Sequence, residues 1–419
     1  MMKHKITLWL MSLAGIVAMT ACVNTDDSAI WPPDTSIDGV RAEITRIYPD
    51  GNSIDPDSVA FKGVGILYIE GTGFSAVPEE NRVFFNGERG DVLEASGTKL
   101  KVKIPDVSSD SVEVRLSVRN QLFFAAYKDK DAYYPLLVKS PTAKYKAVDQ
   151  FVDATGLAVD AQENVYILTT QKQILQLVHP DSVYKVYATS IFITTPCMRV
   201  GPDGALYLTR GTKSIYRVEE GGKTSKLVSA KTKVSYFDWD ADLNMYFGGK
   251  GGTIDLVKPD LTVKSVADYT DYYINSLRVF DGDVYVAVSY QGTDSTVTPT
   301  EAIYRHEILT DSLGAGELVI DWRAFIGEGG PTIESITFDE HGEMYIGLSE
   351  VKEGDNKAIY KLNAGEYFYP EVLTVPASVI TFGEDRYMYI NRRATKADQR
   401  SIERVELAFK GAPYYGRKK

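Results

Sequence analysis

Met198-Arg199-Val200-Gly201-Pro202-Asp203-Gly204-Ala205-Leu206-Tyr207-Leu208 reads as two short apolar strands around a tight turn. Asp203-Gly204 supplies the turn, because Gly takes a positive φ at no steric cost. The pattern recurs along the second half of the chain. Its first strands contain Leu157-Ala158-Val159, Met198-Arg199-Val200, Phe237-Asp238-Trp239, Leu277-Arg278-Val279, Ile336-Thr337-Phe338 and Ile380-Thr381-Phe382. Each second strand carries a tyrosine: Tyr166, Tyr207, Tyr246, Tyr285, Tyr345 and Tyr389, spaced 41, 39, 39, 60 and 44 residues apart. A third strand follows each tyrosine, as in Ile215-Tyr216-Arg217-Val218, and a fourth shows in segments such as Val183-Tyr184-Lys185-Val186-Tyr187.

Four short antiparallel strands in a unit of about forty residues build one blade of a β-propeller. One blade cannot bury both faces, so the units must stack around an axis. Six units predict six blades over residues 140–415. Lys144-Tyr145-Lys146-Ala147-Val148 stands before the first repeat as an orphan fourth strand. It is expected to close the ring by pairing near Ile402 to Val405. A tyrosine at one fixed blade position packs between neighbours, so the six repeat tyrosines are assigned to the core. The repeat resembles the NHL family of propellers, best in Gly156-Leu157-Ala158-Val159-Asp160 and in Gly201 to Leu208. That family contains both binders and enzymes, so the resemblance implies a fold and not a reaction.

Residues 41–139 alternate strand and turn without helical periodicity, which predicts a β-sandwich. Val83-Phe84-Phe85 runs into Asn86-Gly87, a strong hairpin signal. With Tyr48-Pro49, Ile69-Glu70-Gly71-Thr72-Gly73-Phe74 and Ile104-Pro105, this stretch resembles the immunoglobulin-like IPT/TIG family. In bacterial surface proteins such domains usually act as spacers. The fold class is therefore all-β: an immunoglobulin-like (IPT/TIG) β-sandwich followed by a six-bladed β-propeller.

The chain opens on Lys3, Lys5 and an apolar run from Ile6 to Met19 that ends at Ala21-Cys22. A basic start, a short apolar stretch and small residues predict a secretory signal peptide over 1–21. The Ala-Cys junction resembles a bacterial lipoprotein box, with Cys22 as the acylated residue and 22–40 as a flexible stalk. Asp26 and Asp27 resemble the surface-export signal of Bacteroidetes lipoproteins. The expected location is the outer membrane, held through the lipid alone and facing outward. Cys197 then has no disulfide partner and reads as a small buried residue. The formal net charge of −11 disfavours nucleic acid, whose phosphates need a basic field.

Loop lengths point to a ligand face. Between the repeat tyrosine and the third strand, the last three units carry insertions: Tyr290 to Glu301, Ser349 to Lys357 and Asn391 to Ser401. Loops on a rigid scaffold commonly carry binding. Tyr272, Tyr273, Tyr290 and Trp322 are the candidate aromatic platforms, with Arg323, Glu334 and Asn391 as polar partners. Arg199, Asp238 and Arg278 share one position in three successive first strands and should meet near the axis. They are expected to form either a charge-balanced brace or an anion contact at the channel mouth. No catalytic residue, metal set or cofactor is assigned. Lipid anchor, stalk, IPT/TIG spacer and propeller together resemble surface lipoproteins of Bacteroidetes polysaccharide-utilisation systems. That resemblance implies a non-enzymatic protein holding polysaccharide or oligosaccharide beside an outer-membrane transporter complex. A propeller hydrolase or lyase acting on a sugar lactone or glycan, and a protein–protein scaffold in the same assembly, stay open as alternatives.

Overall fold

The structure is a computed structural model that describes residues 41–51, 59–119, 121–128, 133–149, 151–352 and 356–417. The expected leader, Cys22 and the stalk lie outside the described residues. Two compact units form. One comprises residues up to Tyr48 with Tyr68–Val102 and Val112–Leu136; the other comprises Pro49–Leu67, Lys103–Ser111 and Leu137–Lys419.

In the first unit, Asn81–Phe85 lies between two antiparallel partners, with Phe84 opposite Arg89 on one side and Arg115 on the other. Asn86 and Gly87 both take positive φ, at 50° and 96°, as a tight hairpin requires. Val83, Phe85, Val114 and Leu116 are buried while their strand neighbours are partly exposed. That is the period of two expected of a strand with one face on a core.

The second unit holds a propeller-like arrangement of sheets. Four of them are separate and four-stranded. The first repeat forms one from Ala154–Val159, Val165–Thr169, Gln173–Leu177 and Lys185–Thr189. The second and fifth repeats form sheets of the same order. The expectation of six separate blades is corrected at the third and fourth repeats, which share one eight-stranded sheet. The cause is Val263–Phe280, an 18-residue strand that never leaves the ladder. Its early part pairs with Lys250–Val257 through Gly252 and Tyr269, and its later part pairs with Asp283–Tyr290 from Tyr272 onward.

The ring closes as the orphan strand predicts, two residues early. Thr142–Lys144 pairs antiparallel with Ser401–Glu406, Thr142 opposite Val405 and Lys144 opposite Glu403. The N–H of Tyr145 continues the ladder to the Ile402 carbonyl at 2.9 Å.

The tyrosines of the first and fifth repeats hold the turns beneath their first strands. Tyr166, Tyr207, Tyr246, Tyr345 and Tyr389 are buried, and Tyr285 is half-buried. In the first repeat Asp160 Oδ1 accepts from the N–H groups of Gln162 and Asn164, each at 2.9 Å. Its Oδ2 accepts from the Tyr166 hydroxyl at 3.0 Å. Asp339 repeats this with His341, Glu343 and Tyr345. The aspartate satisfies turn N–H groups that no ladder reaches and fixes the buried phenol, which is the accounting a buried polar group demands.

Candidate functional site

First strands start at one end of the ring and descend to the aspartate turns. At the starting end a groove of about 510 Å³ opens over the axis. Thr155, Thr195, Tyr236, Glu334, Asn391, Arg393 and Arg400 are among its walls, so side chains from the first, second, third, fifth and sixth repeats converge there. Two of the three insertions contribute: Ser349 and Glu350 from one, Asn391, Arg393, Ala394, Thr395 and Arg400 from the other.

The two arginines of this groove are both paired with Asp153 beside it. Arg393 grips Asp153 with two nitrogens, Nε to Oδ1 at 2.9 Å and Nη2 to Oδ2 at 3.2 Å. Arg400 adds a contact to the same carboxylate at 3.5 Å. The Arg393 hydrogen bonds hold the Asp153 carboxyl below its ordinary range. Glu350 accepts from the Thr395 hydroxyl and N–H, which lowers it as well. Glu334 behaves oppositely: burial pushes its carboxyl up, and its hydrogen-bond partner is the Thr332 hydroxyl at 3.4 Å. Tyr236 lies beside it, and burial carries that phenol well above its ordinary value. Below Tyr236 and Glu334 the axis narrows to a cavity of about 30 Å³.

The structure brings some of the expected residues together and separates others. Glu334 and Asn391 share the groove. Asn391 is nevertheless 2% exposed and donates to the Ala154 carbonyl at 2.9 Å, so its amide joins the sixth repeat to the first. Tyr273 reaches Ser235 through its hydroxyl at 3.3 Å. Tyr272 and Tyr290 pair edge-to-face at 5.6 Å on the fourth repeat. The same aromatic cluster includes Tyr269, whose hydroxyl is 2.8 Å from His306 Nε2.

Trp322 requires a correction as an aromatic platform. It is fully buried in the short helix Trp322–Ile326, with its indole N–H on the Pro331 carbonyl at 2.8 Å. A ring with no exposed face cannot stack on a sugar. Arg323 is likewise committed: it is ion-paired with the buried Glu301 and donates to the Gly327 and Gly330 carbonyls. Glu301 also accepts from the Ile333 N–H at 2.7 Å. Both residues build the connection into the fifth repeat.

Arg199, Asp238 and Arg278 lie opposite Tyr207, Tyr246 and Tyr285, in the shared register expected of them. Arg278 Nη1 is 3.4 Å from Asp238 Oδ2. Asp238 also accepts from the N–H groups of Trp239 and Val279, each at 3.0 Å. The cluster is not at the channel mouth. The chain beyond Glu406 turns under the ring, where Ala412 N–H bonds the Phe338 carbonyl at 3.0 Å. It then buries Tyr414 against Trp239 and the arginines. Sequence reasoning missed this tail, because a short segment with two glycines and one proline carries no periodicity. Its only signal was the pair Tyr414-Tyr415 in an otherwise polar terminus.

Cys197 is buried at 7% exposure, and desolvation pushes its thiol up. Among the described residues no helix is long and apolar enough to cross a membrane. No group of three or more His, Cys, Asp or Glu side chains gathers as a metal site among them either.

Residues 49–129 match the model of the IPT/TIG domain. No curated protein matches the chain. Among solved structures, an auxiliary nutrient binding protein from Bacteroides ovatus is similar at 13% identity, over 90% of this chain and 99% of that one, with a TM-score of 0.45. A candidate phosphatase from Bacteroides thetaiotaomicron is similar at 10% identity, over 85% and 99%, with a TM-score of 0.50. A luciferin-regenerating enzyme is similar at 14% identity, over 66% and 99%, with a TM-score of 0.47. At these identities the similarities concern the fold alone. What the sequence and structure identify together is an all-β chain with an IPT/TIG domain and a propeller-like second unit.

Proposed function

We propose that this protein is a surface lipoprotein that holds glycan in the groove over the propeller axis and does no chemistry on it. The supporting observation is the groove itself: about 510 Å³, drawn from five repeats, with its two arginines both held by the Asp153 carboxylate. Hydroxyl groups such as those of Thr155, Ser349 and Ser378 line it. That chemistry suits a neutral polyol, whose many hydroxyls need donors and acceptors rather than net charge. The six repeats are read as six NHL-like blades, two of them fused along Val263–Phe280. Cys22 is read as the lipid anchor, with an outer-membrane uptake complex as neighbour.

Affinity electrophoresis of the chain from residue 23 against neutral polysaccharides tests the binding. Retardation by at least one, weakened by Arg393→Ala, is expected. No retardation by any of them sinks this reading. Incorporation of labelled palmitate in cells, abolished by Cys22→Ala, tests the anchor separately.

One observation favours the hydrolase or lyase alternative. Glu334 is a carboxyl raised by burial at the bottom of a groove, as general acids often are. Turnover of a lactone or glycan that Glu334→Gln abolishes would establish it.

A further inference from the structure

The closed end of the axis carries more buried positive charge than its own side chains neutralise. The guanidinium carbons of Arg199, Arg278 and Arg417 lie 5.5, 5.3 and 4.8 Å from the centre of the Tyr414 ring. Arg278, Arg417 and Tyr414 are each more than nine-tenths buried. Among the described residues, the carboxylate buried within this cluster is Asp238, and both its oxygens already accept backbone N–H groups. Glu384 reaches Arg417 only at 4.0 Å from the rim. Glu163, also near Arg417, is engaged by Tyr389 and by the N–H groups of Glu384 and Asp385.

Donors are left over as well. Arg278 Nε and Nη1, Arg417 Nε and the Tyr414 hydroxyl are buried and have no hydrogen-bond partner. Burial, with the repulsion of Arg199 and Arg417, draws the Arg278 guanidinium down to about 10. A buried cation persists where something of opposite charge meets it, and a buried donor where something accepts from it. The cavity of about 30 Å³ that Arg199, Tyr414 and Arg417 help to line admits a body of roughly water size. That excludes a carboxylated sugar and fits a monatomic ion.

We propose that this end of the axis is a built site for one halide ion, chloride in ordinary surroundings, held by Arg417 and the Tyr414 hydroxyl, with the Arg278 charge against the Tyr414 ring beside it. The ion supplies the missing charge, accepts from the unpartnered Arg417 and Tyr414 donors, and ties the C-terminal tail into the axis. The site lies deeper along the axis than the groove, at the Tyr414 end of the cavity, and the proposal does not depend on glycan binding.

Bromide is the probe, because it replaces chloride and scatters anomalously. Crystals of the purified protein grown in sodium bromide should show an anomalous peak beside Arg417 and the Tyr414 hydroxyl. At constant ionic strength, exchanging isethionate for bromide at about a hundred times its dissociation constant should raise the unfolding midpoint by roughly 5 °C. Tyr414→Phe keeps the ring and removes one donor, and should weaken the bromide response at least about threefold in apparent affinity. Arg417→Met should abolish the response. The absence of an anomalous peak at this position overturns the proposal. So does an undiminished bromide response in Arg417→Met or, should that variant not fold, in Tyr414→Phe.

Discussion

The carboxylate of Glu163, in the first repeat, accepts a hydrogen bond at 2.5 Å from the hydroxyl of Tyr389, in the sixth, across 226 residues of chain. In the first, third and fifth repeats the turn below the first strand is organised by its own aspartate, Asp160, Asp240 and Asp339. The sixth repeat has Gly383 there, and Glu163 reaches across the closure to fill the place. It bonds the N–H groups of Glu384 at 2.5 Å and Asp385 at 2.8 Å. Glu163 adopts a φ of 64°, an uncommon conformation for a side chain of its size.

Removing this carboxylate leaves a buried phenol and two N–H groups without their acceptor. Glu163→Ala should destabilise the protein by about 2–4 kcal/mol in urea, from unmade hydrogen bonds at about 1–3 kcal/mol each. Tyr389→Phe should cost about 1 kcal/mol, losing one bond. If Glu163→Ala unfolds at the wild-type midpoint, the closure does not depend on this contact.

Gly383 offers an independent check. A Cβ there would stand 2.1 Å from Glu163 Oε2. Gly383→Ala should expel the carboxylate and reproduce most of the Glu163→Ala loss. In the double variant the two losses should not add, because each removes the same interaction.

Trp322 separates a structural aromatic from a ligand platform. Trp322→Ala should cost about 3–5 kcal/mol, as large-to-small changes in a core do. The folded fraction should keep its glycan affinity. Calorimetric titration at 10 °C distinguishes the two: affinity lost while the fold persists would return Trp322 to the binding face.

Glu334 has a sign that pH can read. Burial raises its folded pKa above the unfolded value, so the folded state favours the protonated form. Its contribution to stability is fully present below the unfolded pKa of about 4.3 and is lost as pH rises through the higher folded value. Glu334→Gln should therefore raise the unfolding midpoint at pH 7 relative to wild type, with the gain vanishing near pH 4. A gain independent of pH would refute burial as the cause.

Asp153 has the opposite sign. Its Arg393 hydrogen bonds lower the folded pKa, so its stabilisation is present above the unfolded value of about 3.9 and fades as pH falls through the folded one. Asp153→Asn should destabilise at pH 7 and match wild type at about pH 2. A constant difference across that range would show that charge is not the source.

The repeat, the closing strand, the buried tyrosines and the hairpin at Asn86-Gly87 were legible in the sequence. Each is a local pattern: strand period, turn chemistry and a fixed spacing leave a trace in consecutive residues. The clustering of Arg199, Asp238 and Arg278 was legible for the same reason, since equal positions in successive repeats must approach one axis. The tertiary structure alone decided which side chains remain free to meet a ligand. Trp322, Arg323 and Asn391 looked like loop polarity and aromaticity, but each has its bonding capacity taken by backbone carbonyls or a buried carboxylate. Tertiary structure also decided that Val263–Phe280 fuses two repeats, and that the tail seals the axis with Tyr414. Asn391 and Tyr414 are settled by partners far away in the chain, Trp322 and Arg323 by carbonyls of their own connection, and neither commitment leaves a periodic trace in consecutive residues.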